Sequence, residues 1–131
     1  MFVDASALVA IIAGESDGPA LAGTLDAAER RYTSPLALYE TTLALLRIRD
    51  TSVNEATALL DNFMMRSRIN IVAVGPEIGR MAIDAFARFG RGKHPARLNM
   101  GDCFAYACAR SLGVPLLCKG DDFSQTDLLL A

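Results

Sequence analysis

Acidic residues occupy positions in this chain where a soluble protein seldom places charge. Asp4 ends the first apolar run, Glu40 lies inside a leucine-rich segment, and Asp102 opens a predicted helix. Asp121 and Asp122 follow a late apolar run. An ionised carboxylate removed from water is costly unless it is paired or binds a metal ion. Carboxylate oxygens suit Mg²⁺ and Mn²⁺, so this set of acids predicts a shared divalent-cation site.

The chemistry that such a site supports is phosphodiester hydrolysis. That reaction needs a nucleophilic water near neutral pH and neutralised charge on the phosphate oxygens, and divalent ions held by carboxylates supply both. A histidine base is then not required. The single histidine, His94, is interpreted as an exposed loop residue. The acid pattern therefore predicts a metal-dependent nuclease.

Each acid taken alone also has a purely structural interpretation. Asp4 precedes a helix and can cap it, an interaction worth about 1 kcal/mol. Asp102 at a helix start complements the helix dipole, and Glu40 can pair with an arginine. Asp121 and Asp122 can belong to a plain turn. The set points to a cation because acids at strand ends and acids on helices beside the sheet can converge on one crevice.

A basic segment lies just before Asp102. Its basic residues are interspersed with glycines and a proline. We assign RNA positioning to Arg91, Lys93 and Arg97. Arg88, at its start, is grouped with them. The net charge of −2 gives no overall attraction to nucleic acid, so a polyanion must be bound by such a local patch or by metal. The alternative is a solvated, flexible loop.

Short apolar runs alternate with helical patterns, which predicts an α/β fold with a mostly parallel sheet of four to five strands. Strands are predicted at residues 1–4, 31–34, 69–74 and 114–118, with 127–131 as a candidate short fifth strand. Helices are predicted at 5–13, from 17 onwards, and at 35–49, 53–67, 76–89 and 101–112. Ligands bind at the carboxyl ends of parallel strands, where Asp4 and Asp121 are expected.

Length and composition predict one globular domain over residues 1–131, because 52% hydrophobic and 21% charged residues suffice for a packed core. The apolar stretch from Ala5 to Gly14 is too short to span a bilayer, and Asp4 with no basic residue before it is unlike a secretory signal. A cytoplasmic protein with no membrane partner is expected. The three cysteines, which lack CxxC spacing, are interpreted as core residues.

Four segments resemble the PIN-domain ribonucleases, specifically the VapC-type toxins of bacterial toxin–antitoxin pairs. They are FVDASALVAII, TSPLALYETTLAL, GKHPARLNMGDCFAYACARSLG and PLLCKGDDFSQTDL. The resemblance runs nearly end to end. It implies a three-layer α/β/α sandwich, RNA cleavage with Mg²⁺ or Mn²⁺, a homodimer, and inhibition by a cognate antitoxin.

The resemblance also implies a role for individual residues. It assigns the first three acids to Asp4, Glu40 and Asp102. Asp4 and Asp102 are expected to hold the metal, and Ser6 to orient the first carboxylate or a metal-bound water. Many relatives carry a longer T-x-D-x-x-F loop where this chain has KGDDF. Asp121 and Asp122 are therefore alternatives for the fourth acid, with Asp121 favoured because it is nearer the strand.

Two other functions remain open at the level of sequence. A receiver-like phosphoacceptor domain needs an acidic pair after its first strand and an acceptor Asp after its third, where this chain has only Asp4 and Val74-Gly75. A catalytically silent PIN-like module that only binds a protein partner has no need of the intact acid set.

A helical stripe offers a candidate contact with other chains. It consists of Leu59, Leu60, Phe63 and Met64. It is interpreted either as core or as a surface for an antitoxin helix or a second copy.

Overall fold

The computed structural model describes residues 1–131 as four strands and six helices. The strands are β1 (Phe2–Val3), β2 (Arg31–Thr33), β3 (Ile69–Ile71) and β4 (Leu116–Leu117). The helices are α1 (Ala5–Ala13), α2 (Gly18–Ala27), α3 (Pro35–Ile48), α4 (Val53–Arg66), α5 (Pro76–Phe89) and α6 (Met100–Leu112). Every predicted helix is present. None is long and apolar enough to cross a membrane.

The sheet is parallel throughout and has the order β3-β2-β1-β4. Its strands are shorter than predicted, most clearly β3, which stops at Ile71. The candidate fifth strand at 127–131 is wrong as a strand, because only an isolated parallel bridge joins Leu130 to Leu116. Hydroxyl groups of Ser124 and Thr126 bond to the turn just before this segment, so few residues are left to pair.

Side chains alternate across the strands and separate two hydrophobic clusters. Phe2 and Leu116 pack on one face with residues of α5 and α6. Val3 and Leu117 pack on the other face with residues of α1, α2 and α4. The predicted three-layer α/β/α architecture is therefore confirmed.

Local caps determine where the helices that carry acids begin. The Ser34 hydroxyl accepts a hydrogen bond from the Ala37 N–H and starts α3. Asn99 and Asp102 form a reciprocal capping box at the start of α6. Gly113 ends α6 with φ of 63°, a left-handed conformation that favours glycine. These signals are local in sequence, which is why the helices were predictable.

The helical stripe on α4 is mostly core. Leu60 and Met64 are buried, and Phe63 packs against the same cluster. Only Leu59 is exposed. The stripe therefore serves this chain's own interior in large part. Leu59 and Phe63 also line a surface cavity of about 480 Å³, so a contact of the stripe with another chain stays a prediction.

The cysteines are unpaired, as predicted. Cys103 and Cys108 are buried, and Cys118 is half-buried. Burial raises the pKa of the Cys103 and Cys108 thiols to about 11, so they remain protonated core residues.

Candidate active site

Acidic side chains from four separate segments line one pocket of about 360 Å³. They are Asp4, Glu40, Asp102 and Asp122. A fifth acid in the lining, Glu15, is paired with Lys119. Of the first four, one follows β1, one lies in α3, one in the first turn of α6, and one in the loop after β4. Strands β1 and β4 are parallel neighbours, so their carboxyl ends bring the first and last of these acids to the same edge of the sheet.

Asp4 is the most buried acid of the pocket, with 5% of its surface exposed. It caps α1, and its Oδ2 accepts hydrogen bonds from the Ser6 N–H at 2.9 Å and the Ser6 hydroxyl at 2.6 Å. Burial raises the pKa of Asp4 despite these bonds. The Lys119 N–H donates to Ser6 Oγ at 3.0 Å, so Ser6 joins the end of β4 to the Asp4 carboxylate.

Glu40 is half-buried. The surface of α3 beside it is more exposed than the leucine-rich sequence suggests, since 66% of Tyr39 is exposed. The arginine ion pair considered for it is not formed. Its carboxylate lies against Gly101, where an added Cβ would come within 2.5 Å of Glu40 Cδ. Burial, and then the charges of Asp4 and Asp102, raise the pKa of Glu40.

Asp102 has a structural and an electrostatic role at once. Its Oδ2 accepts a hydrogen bond from the Asn99 N–H at 2.8 Å, which completes the capping box. Burial nonetheless raises the pKa of Asp102 to about 6. The negative charges of Asp4 and Asp122 add to this shift, while the Asn99 bond and the charge of Arg91 oppose it.

No cationic side chain compensates these four carboxylates, because none of them forms an ion pair. Two cations do line the pocket. Lys119 is engaged elsewhere, with its Nζ 2.5 Å from Glu15 Oε2 and 3.6 Å from Asp17 Oδ2. Arg47 makes no side-chain ion pair with any acid. The pocket therefore concentrates negative charge that repels itself.

The donor set fits a hard divalent cation. All four side chains offer carboxylate oxygens, the ligands preferred by Mg²⁺ and Mn²⁺. Burial raises the pKa of Asp4, Glu40 and Asp102, and the charges of neighbouring acids add to this effect; a cation among them would oppose that repulsion. As the side chains stand, no three acidic, histidine or cysteine groups converge at ligand spacing. Binding an ion would therefore draw the carboxylates closer together.

The two consecutive acids after β4 lie in different surroundings. Asp122 lines the acidic pocket, and its charge contributes to the raised pKa of Asp4 and Asp102. Asp121 lines only the neighbouring cavity of about 450 Å³, which it shares with Asp102 and Asp122. The structure thus groups Asp122 with the other three acids, and the assignment of Asp121 as the fourth stays a prediction.

Members of the basic segment separate in the structure. Arg91 and Arg97 line the cavity next to the acidic pocket, whereas Lys93 is exposed outside it. Arg88 is paired within the chain, since its guanidinium donates hydrogen bonds to Asp127 Oδ2 at 2.9 Å and to the Tyr106 hydroxyl at 3.1 Å. Its grouping with the segment stays a prediction.

His94 is half-buried and belongs to the structure of the loop. Its Nδ1 accepts a hydrogen bond from the Ala96 N–H at 3.1 Å. Its ring stands edge-on to Phe89, with the ring centroids 5.3 Å apart. The interpretation of His94 as an exposed residue was wrong, because the loop folds back on the end of α5.

Sequence reasoning missed several residues of the pocket wall. These are Glu15, Arg47, Asn99 and Lys119. Asn99 had a detectable signal, since it precedes Asp102 by three residues in a capping-box pattern. Arg47 lies seven residues after Glu40 and so shares its helix face. Lys119 and Glu15 are distant in sequence, and no local pattern links them.

Comparisons with known proteins identify the family of this chain. Residues 1–129 match the family described as PIN domain. The chain is 42% identical to a VapC ribonuclease of Rhizobium meliloti, over 97% of this chain and 98% of that protein. It is 40% identical to ribonuclease VapC42 of Mycobacterium tuberculosis, over 98% and 96%. The chain therefore belongs to the PIN-domain family, among the VapC ribonucleases.

A solved structure agrees on the fold. The crystal structure of Mycobacterium tuberculosis VapC20, described as a sarcin-ricin loop cleaving toxin, matches with a TM-score of 0.78. The match covers 99% of this chain and 97% of that one. Sequence identity is 20%, so this likeness concerns the architecture and not the substrate.

Proposed function

We propose that this chain is a divalent-metal-dependent endoribonuclease that acts as the toxin of a toxin–antitoxin pair. The observation that carries the proposal is the set of four carboxylates that share one pocket without a cationic partner. A fold retains such a destabilising arrangement where a cation is to be bound. The relatives named VapC ribonucleases supply the reaction class.

Asp4 and Asp102 are the proposed metal ligands, with Mg²⁺ or Mn²⁺ as the ion. When bound, the ion activates water and neutralises charge on the phosphate. The chain's own residues hold the carboxylates in place. Ser6 donates two hydrogen bonds to Asp4, and the Asn99 N–H donates one to Asp102. Gly101 leaves the space in which the Glu40 carboxylate lies.

For the fourth acid we favour Asp122, because it lines the same pocket as the other three. Asp121 is the alternative, from the neighbouring cavity. Arg91 and Arg97 are proposed to bind RNA phosphates beside the acids, where their charge offsets the negative net charge of the chain. Lys93 contributes as a more distant charge on the same loop.

The proposed partners besides RNA are a cognate antitoxin and a second copy of the chain, in the cytoplasm. Support comes from a groove of about 610 Å³ between α5 and α6. Ile83 and Phe86 line it and are exposed, which is unusual for large apolar side chains unless another surface covers them. This groove lies outside the acidic pocket.

The decisive experiment compares Asp4→Asn and Asp102→Asn with the control Asp61→Asn, an exposed acid on α4. Cleavage of total RNA with added Mg²⁺ or Mn²⁺ should fall on the order of 100-fold or more in both site variants, since each change removes charge stabilisation at the reaction centre. The control should cleave normally. Circular dichroism checks that each variant is folded.

Two outcomes would contradict the proposal. Retained cleavage by a folded Asp4→Asn variant would show that the acids are not the site. A wild-type protein that cleaves no RNA with either ion would favour the silent binding module.

A further inference from the structure

One lysine attaches the loop that carries Asp122 to the rest of the chain. The loop leaves the sheet after Leu117, and the chain returns to the core at Phe123, which is buried. Between these two residues, every hydrogen bond to a distant part of the chain is made by Lys119. The hydrogen-bonded position of the loop therefore depends on this residue.

Lys119 is bound at two places, through its main chain and through its side chain. Its N–H donates to Ser6 Oγ at 3.0 Å, at the start of α1. Its Nζ lies 2.5 Å from Glu15 Oε2 and 3.6 Å from Asp17 Oδ2, in the turn between α1 and α2. The lysine therefore connects the end of β4 to the residues on either side of α1.

The turn that binds the ammonium group is itself held by internal hydrogen bonds. The Glu15 N–H donates to the Ala10 main-chain oxygen at 2.9 Å, and the Gly18 N–H donates to the Glu15 main-chain oxygen at 2.9 Å. The Ser16 hydroxyl donates to Asp17 Oδ1 at 3.1 Å. The turn thus offers the lysine a fixed anchor, independent of the loop after β4.

The main-chain bond of Lys119 affects the orientation of Asp4. A hydroxyl group has one proton to donate. Because Ser6 Oγ accepts the Lys119 N–H, its own proton is directed to Asp4 Oδ2, at 2.6 Å. The Ser6 N–H donates to the same oxygen at 2.9 Å. Both bonds hold Oδ2, so Oδ1 is the oxygen left to face an ion.

The ion pair of Lys119 contributes little to the stability of the fold. The side chains of Lys119 and Glu15 are 37% and 32% exposed, so water screens their attraction. Both residues nevertheless line the acidic pocket. We expect a pair in this place to influence the geometry of the pocket more than the free energy of unfolding.

We propose that Lys119 is a positioning residue of the metal site, and that Glu15 and Asp17 hold it in place. The inference rests on the proposed metal-dependent function. Through the serine hydroxyl the lysine fixes the Asp4 carboxylate, and through its main chain it fixes the start of the turn that leads to Asp122. The turn between α1 and α2 is thereby part of the site, although none of its side chains is assigned to the ion.

Positioning and simple charge predict opposite results for Lys119→Met. The change removes a positive charge beside a cation site, which by charge alone should tighten Mn²⁺ binding. Positioning predicts binding that is weaker by about tenfold or more, the scale seen when groups that orient a metal ligand are altered. Lys119→Arg should retain most of the affinity, since a guanidinium can also pair with Glu15.

Arg47→Met is the matched control. It removes a cation that lines the same pocket but forms no ion pair, so Mn²⁺ binding should be equal to that of wild type or tighter. Glu29→Gln, at an exposed acid after α2, controls for Glu15→Gln.

Binding of Mn²⁺ to the intact chain is measured without RNA, by electron paramagnetic resonance of the free ion. Glu15→Gln should weaken binding, and the double variant Glu15→Gln/Lys119→Met should bind as weakly as Lys119→Met alone, because both changes break the same attachment. Charge alone predicts a double variant close to wild type, since the two changes cancel. Thermal melting checks that each variant is folded.

The outcomes separate this inference from the proposed function. If wild type binds Mn²⁺ and cleaves RNA, but Lys119→Met binds Mn²⁺ as tightly as wild type or more tightly, the positioning role is wrong and the ribonuclease stands. If Arg47→Met weakens binding as much as Lys119→Met, the attachment is not the cause and the inference is overturned. If wild type binds no Mn²⁺ and cleaves no RNA, the proposed function fails and the positioning role with it.

Discussion

Asp102 and Asp127 are carboxylates of the same type in opposite environments. Asp127 accepts a hydrogen bond from the Tyr106 hydroxyl at 2.7 Å and pairs with Arg88 at 2.9 Å and Arg110 at 3.3 Å. These bonds lower the pKa of Asp127 to about 2. Asp102 has no cationic partner, and burial raises its pKa to about 6.

The contrast separates a structural acid from an acid that we propose to be functional. The cluster around Asp127 ties the C-terminal segment to α5 and α6, and every charge in it is matched. The acidic pocket leaves its charges unmatched and lowers the stability of the metal-free fold. A carboxylate that a protein keeps at a cost to its own stability is the better indicator of function.

The strongest test of this contrast is Glu40→Gln. Removing the charge should reduce RNA cleavage on the order of 100-fold or more, because one of the pocket's charge-stabilising groups is lost. Without metal, the melting temperature should equal or exceed that of wild type, since like charges are relieved. A marked drop in the metal-free melting temperature would mean that Glu40 is a structural residue after all.

Gly101→Ala should disturb the same acid without changing its charge. The new methyl group would overlap the Glu40 carboxylate, which must swing aside. We expect cleavage to fall on the order of tenfold, the scale seen when groups that orient a metal ligand are altered. Gly23→Ala on α2, where a Cβ meets nothing within 4 Å, is the matched control. Equal activity of both variants would show that the position of Glu40 is unimportant.

Asp127→Asn should lower stability and leave cleavage unchanged, the opposite of the result expected for Glu40→Gln. The free energy of unfolding should drop by about 1 kcal/mol, because hydrogen bonds to Tyr106 and Arg88 are weakened in a cluster that water partly screens. Cleavage per folded molecule should be unchanged. Urea unfolding monitored by circular dichroism measures the first quantity and a cleavage assay at low temperature the second. A variant with full stability and lost cleavage would reverse the assignment.

The pH dependence of the free energy of unfolding should distinguish the two kinds of acid. We expect this effect to be the smallest. Asp102 has a raised folded-state pKa, so its contribution should diminish as the pH rises from about 4 to about 6 in metal-free protein. Asp127 has a lowered pKa, so its contribution should be lost as the pH falls from about 4 to about 2. Asp102→Asn should flatten only the first slope and Asp127→Asn only the second. Thermal melting across this range in EDTA checks both.

The residue patterns were sufficient for the helices and the α/β class, and the resemblance to PIN-domain proteins supplied the three-layer order of the fold. Helix starts are encoded locally, as at Ser52 with Glu55, and apolar periodicity marks the buried faces. The ends of the strands were less predictable from the sequence, because a strand continues only where a neighbouring strand offers hydrogen-bond partners. The segment at 127–131 shows this, since it meets β4 at a single bridge.

Long-range pairing explains what the sequence could not predict about the site. Arg88 is adjacent to the basic segment in sequence, yet its partner Asp127 is 39 residues away. Lys119 is bound to Glu15, 104 residues away. The choice between Asp121 and Asp122 depends on the turn at Gly120, where φ is 86°. None of these contacts leaves a periodic pattern in the chain.

The strand order also determines when the acidic pocket can form during synthesis of the chain. β1 emerges first from the ribosome, but its neighbour β4 and the acid at residue 122 are among the last parts to be synthesised. A nascent chain therefore has Asp4 long before it has a complete pocket. The four carboxylates can therefore meet only after the loop that follows β4 has been synthesised.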